Sequence, residues 1–124
     1  MFKVKRAREK PEPEDGARHL VDRLWPRGVS KAELKLDGWL KNVAPSDGLR
    51  RWFNHDPKKW NEFRKRYFAE LDANPDTWGP ILDEGSKRPL TLIYGARDPV
   101  HNNAVALAEY LQTRAAKRKV KQQR

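Results

Sequence analysis

The sequence predicts an α/β protein: a single small domain in which helices pack on a short, mainly parallel sheet. Three observations carry that expectation. Residues 90–94 (LTLIY) form a continuous apolar run between Pro89 and Gly95, as a strand buried on both faces requires. Trp60, Phe63, Tyr67 and Leu71 recur at helical spacing, and Ala104, Leu107, Ala108 and Leu111 do so further on. Strand-like and helix-like segments are interspersed, with no internal repeat and no linker between them.

The elements follow in order from local chemistry. Residues 2–6 (FKVKR) alternate apolar and basic, the pattern of a half-buried first strand. Residues 9–16 are a polar loop broken by prolines. A second strand is expected near 18–22, stopped by Pro26, Arg27 and Gly28. Ser30, with Glu33 three residues on, makes a capping box that starts a short helix. Residues 36–43 (LDGWLKNV) are open in type: Gly38 weakens a helix there, and Pro45 closes the segment. Ser46 caps a short helix through Trp52 and Phe53. Asp56 as cap and Pro57 as first helical residue open the clearest helix. Asn74 and Pro75 end it and start another, over about 76–84, which Gly79–Pro80 makes irregular and Gly85 stops. After a loop at 95–100, the last helix is expected from His101 to about Thr113.

Composition narrows the function. The chain has 124 residues, enough for one domain with a buried core. It has no cysteine, which excludes disulfides, thiolate metal sites and a cysteine nucleophile. That, with no signal-type apolar stretch in the opening residues, suits a cytoplasmic protein, and no apolar run is long enough to span a membrane. The net charge is +10. More than half of the excess lies in residues 114–124 (RAAKRKVKQQR), which hold six basic residues and no acid. The expected organisation is a folded domain over 1–113 and a basic, disordered segment over 114–124. Such a segment is attracted to nucleic acids and anionic surfaces; its plainer role is to keep the chain soluble.

Four constellations could carry chemistry. The first is Asp22-Arg23-Leu24-Trp25-Pro26-Arg27-Gly28, at the end of an expected strand. Ligands of open α/β sheets bind beyond the carboxyl ends of strands, and Arg23 and Arg27 can present guanidinium forks to phosphate or carboxylate. In the plainer alternative Asp22 and Arg23 form a structural pair and Trp25 is core. The second is the strand–loop–helix unit at 90–111, with Arg97 in the loop and His101, Asn102 and Asn103 at the helix start, where unpaired N–H groups favour anions. Ordinary capping by Asp98 or Asn102 is the alternative. The third is Arg64, on the flank of the apolar stripe, which either pairs with a buried carboxylate or lines a pocket. The fourth is His55-Asp56, which invites comparison with metal-dependent phosphohydrolases. With only His19, His55 and His101 in the chain and Asp56 already a cap, no metal site is expected. No nucleotide-binding glycine loop, GxSxG or HExxH occurs, and Ser30 and Ser46 read as caps rather than nucleophiles.

The motifs DRLWPRG at 22–28, WF-x-HDP at 52–57, W-x-x-F-x-x-R-Y at 60–67 and LIYGARD-x-x-HNNA at 92–104 resemble the DUF488 family, in its short YeaO-like branch. The resemblance covers residues 1–113. It implies a small bacterial or archaeal α/β protein and a site facing the strand ends. The wider family carries Asp-x-Arg after an early strand and Cys-His-Arg at the start of the last helix. Asp22-Arg23 matches the first without its spacer, and His101-Asn102-Asn103 falls at the second, with no cysteine and with asparagine in place of arginine. Gly79-Pro80 departs from the more regular helix that the resemblance implies.

Arg23, Arg27, Arg64, Arg97 and His101, gathered around one cleft with Asn102 and Asn103, would make it strongly cationic. Trp25, Trp52 and Tyr67 would form its aromatic wall. The leading expectation is a domain that binds phosphate, a nucleotide or nucleic acid. One alternative is a small enzyme on a phosphorylated substrate, with His101 as general acid/base and Asp22 assisting. Another is a DNA-binding regulator that uses the basic helix 57–72 and the basic C-terminal segment. A structural or interaction domain is the last, in which the Arg and His side chains pair internally. No cofactor is expected, and the oligomeric state is open.

Overall fold

The computed structural model describes residues 2–122. Its frame is a four-stranded parallel sheet in the order β1-β4-β2-β3. The strands are β1 (Phe2–Arg6), β2 (Ala17–Leu20), β3 (Gly38–Trp39) and β4 (Leu90–Tyr94). β4 lies between β1 and β2 and pairs with both, Phe2 and Ala17 standing opposite Leu90. Every residue of β4 is buried, as its unbroken apolar run demands.

Five helices clothe the sheet: α1 (Lys31–Leu34), α2 (Asp47–Phe53), α3 (Trp60–Ala73), α4 (Pro75–Lys87) and α5 (Asn103–Gln122). α5 packs on β1 and β4, and α2, α3 and α4 build outward from it. The main core holds Phe63, Tyr67 and Leu71 of α3, Leu107 and Leu111 of α5, and Leu90 and Leu92 of β4. A smaller core on the other face joins Leu20, Leu34 and Ile93 under Trp25 and Trp39.

Ser30 and Ser46 cap α1 and α2 as expected, whereas α3 starts only at Trp60, after the turn that Asp56 caps. Ser30 accepts from the Glu33 N–H while Glu33 accepts from the Ser30 N–H. Ser46 accepts from Leu49, and Asp56 accepts from Lys58 at the head of a 3-10 turn that leads into α3. Segment 36–43 resolves into the short β3 and a 3-10 turn over Lys41–Val43. β2 begins and ends slightly earlier than expected, so that Asp22 lies past the strand rather than within it.

Two expectations are corrected. α4 does not stop at Gly85 but runs to Lys87. Gly85 is there for packing: a Cβ on it would lie 2.4 Å from the Phe2 ring. α5 does not end near Thr113, and residues 114–122 continue it instead of being disordered. Arginines hold this extension down. Arg114 donates to Asp72 at 2.6 Å and lies over the Trp78 and Tyr110 rings, and Arg118 donates to Asp83 at 2.7 Å. The last two residues of the basic segment, 123 and 124, lie outside the described residues. Among the described residues, no helix is long and apolar enough to cross a membrane.

Candidate functional site

Because all four strands are parallel, their carboxyl ends share one edge, and a cleft of about 280 Å³ opens there. Four pieces of chain form it. The segment after β2 supplies Asp22 to Arg27, and the turn after β4 supplies Gly95 and Ala96. The start of α5 supplies Asn102 and Asn103. The α2 region supplies Ala44, Pro45, Arg50, Phe53 and His55, with Phe63 of α3 behind them.

Asp22 is the carboxylate of this cleft. Its Oδ2 accepts from the Gly95 N–H at 2.8 Å, which ties the end of β2 to the end of β4. Burial pushes its carboxyl above the ordinary aspartate range, while the Gly95 N–H, the Asn103 amide and His55 pull it back. Asn103 donates to the Val21 carbonyl at 2.9 Å. Asn102 is buried and caps α5, accepting from Val105 at 3.0 Å and donating to the Asp98 carbonyl at 2.9 Å.

Positive charge surrounds that single acid. Arg23, Arg27, Arg50 and His55 all line the cleft. Arg23 reaches the Ala44 and Pro45 carbonyls at 3.4 Å. Half-buried Arg23 and exposed Arg50 both approach Asp47 Oδ1, at 3.7 and 3.6 Å. His55 follows the left-handed end of α2 at Asn54 and is itself left-handed, with φ 55°. Two successive non-glycine residues in that region are costly, and the cost places the imidazole on the rim. Trp25 is fixed by donation to the Val29 carbonyl at 2.6 Å and by an edge contact with Trp39.

The expected residues divide into two groups. Asp22, Arg23, Trp25, Arg27, Asn102 and Asn103 come together in the cleft. Arg64, Tyr67, Arg97, His101 and Trp52 do not line it. Arg64 pairs with Glu109 across α3 and α5. Tyr67 is fully buried, and its hydroxyl donates to the Val43 carbonyl at 2.6 Å. Arg97 is exposed on its loop. His101 packs edge-on against Trp60, and its Nδ1 lies 2.8 Å from Asp98 Oδ2. The Val100 and His101 N–H groups, with the His101 ring, hold the Asp98 carboxyl down at about 2. Trp52 carries Lys59 and Arg66 over its ring instead.

Arg50 and His55 are the polar lining residues that the sequence reading missed. His55 belongs to WF-x-HDP, and Arg50 lies two residues before that motif, in α2. The signal was the turn itself: a helix ending at Phe53 and another capped at Asp56 leave His55 in a forced reversal. Among the described residues, no group of three or more His, Asp and Glu is placed to hold a metal ion.

A family model described as "Inactive DUF488-N3 subclade" matches residues 1–124. The chain is 41% identical over 112 residues to the uncharacterized protein YeaO of Escherichia coli (strain K12), covering 90% of this chain and 97% of that protein. It is 35% identical over 112 residues to the uncharacterized protein Rv3073c of Mycobacterium tuberculosis, covering 90% of this chain and 94% of that protein. No solved structure matches the chain.

Proposed function

The chain belongs to the DUF488 family, and we propose that its cleft at the strand ends binds a phosphate-bearing small molecule without transforming it. One observation supports this most: Arg23, Arg27, Arg50 and His55 line one concave site in which Asp22 is the lone lining carboxylate, with Asp47 beside Arg23 and Arg50 at its rim. Guanidinium groups bind phosphate by paired, charge-assisted hydrogen bonds, and a cleft concentrates their field. The subclade's description as inactive favours binding over turnover. So does the placement of His101 off the cleft, which leaves Asp22 and His55 as its titratable side chains besides the arginines. A cytoplasmic setting fits the cysteine-free composition.

A duplex-reading role is less well supported. The apolar stripe of α3 is buried in the core. Arg64, Arg66, Arg114 and Arg118 are each paired with a carboxylate, which reduces the charge they offer to a phosphate backbone.

Thermal denaturation with phosphate, sugar phosphates and nucleotides tests the reading. A ligand at 100 times its dissociation constant adds about 2.7 kcal/mol of stability. Arg27→Ala with Arg50→Ala should remove most of that protection and change the unliganded melting point little, since both side chains are exposed. Protection by no anion, or protection lost only when residues 114–124 are deleted, would overturn it.

A further inference from the structure

We propose, building on the anion-binding reading, that the cleft takes a phosphorylated polyol, a sugar phosphate or a mononucleotide, with phosphate on Arg27 and Arg50 and a hydroxyl donating to Asp22. The cleft is two-ended. Its arginines attract an anion, while Asp22 repels one and calls for a hydrogen-bond donor. Inorganic phosphate satisfies only the first end. A sugar phosphate satisfies both, because its hydroxyls donate where its phosphate cannot go.

Four features sharpen the ligand class. The Gly95 N–H engages Oδ2 of Asp22, and an ionised carboxylate has room for several donors, so the group keeps acceptor capacity for a ligand. No arginine or lysine forms an ion pair with Asp22 among the described residues; the cations of the cleft go to Asp47 and to carbonyls instead. Phe53, Phe63 and Pro26 give the cavity an apolar wall suited to the carbon face of a ring. The volume, about 280 Å³, lies at the lower edge of the roughly 300–1,000 Å³ usual for ligand pockets. That size suits a small phosphorylated ligand.

The test is calorimetric titration of the full chain at moderate salt. The probes are ribose 5-phosphate, a nucleoside monophosphate, and tetrahydrofurfuryl phosphate, which keeps a ring and a phosphate but has no free hydroxyl. At least one of the first two should bind about tenfold or more tightly than the third, the ratio expected when a built polar contact is lost. Whichever does so identifies the source of the sugar phosphate. Asp22→Asn, which keeps the shape and an acceptor toward Gly95 but offers the ligand an NH2 donor in place of the charged acceptor, should narrow the ratio while leaving tetrahydrofurfuryl phosphate affinity equal or better. Equal binding of all three probes by the unmodified chain would overturn this inference and leave the anion-binding reading standing. Binding of none would remove both. The comparison within the unmodified chain decides the matter even if the Asp22 variant fails to fold.

Discussion

Asp22 stands under two opposed influences, and the balance is measurable. Burial raises its pKa, so the folded chain holds this proton more tightly than the unfolded chain does. By linkage, the group favours folding at low pH and costs stability as pH rises from the ordinary aspartate value, about 3.9, through its raised one. Asp15, Asp72, Glu84 and Asp98 are shifted down and act in the opposite sense. Comparing the chain with its Asp22→Asn variant isolates the one group. The stability gap should move in favour of the variant as pH climbs from 3 to 7, and parallel melting curves would refute it. Gly85 offers a second residue-scale prediction. Gly85→Ala forces a Cβ against the Phe2 ring, which should cost about 1–3 kcal/mol in a denaturant titration. What could be read at this scale was local. Ser30, Ser46, Asp56 and Asn102 cap because their partners lie two or three residues away. Arg64 could not be placed from sequence, because its partner Glu109 lies 45 positions further on.

At the scale of elements, α4 and α5 show where pattern ran out. Gly79-Pro80 interrupts α4, yet the helix continues through both. Its neighbours Trp78, Ile81 and Leu82 are buried and hold it in place. The position of Gly79 is open, with nothing beyond its own helix within 4 Å of an added Cβ. Gly79→Ala gains helix propensity, roughly 0.5–1 kcal/mol, but sets its Cβ against the Pro80 ring, so thermal denaturation should show a gain smaller than that. A loss of stability would mean that this turn is strained. The C-terminal half of α5 looked unable to order itself because it lacks large apolar side chains. Its anchors are instead arginine stems over aromatic rings and ion pairs to Asp72 and Asp83, and neither appears in a hydropathy pattern.

For the whole molecule, the fold class was legible because β4 and the apolar faces of α3 and α5 are long, unambiguous signals. The cleft was legible only in part. Its location followed from the chain leaving a strand at Asp22, but Arg50 and His55 arrive from α2, which reaches the site only through the tertiary fold. The +10 charge is also less free than it looks, since Arg64, Arg114 and Arg118 bridge helices. Deleting residues 114–124 should flatten the salt dependence of oligonucleotide binding, measured as log affinity against log salt. It should leave cleft ligands bound, and the exposed pairs it removes should account for no more than about 1 kcal/mol each.

The place of β4 in the sheet also sets a schedule for synthesis. β1 and β2 touch β4 rather than each other, and β2 meets β3 over only two residue pairs. A nascent chain that has not yet exposed residues 90–94 has nothing to which its first strand can be zipped. Assembly of the sheet thus waits until residues 90–94 have been made. Chains stalled just before residue 90 should be cut readily by protease, whereas the finished chain should resist.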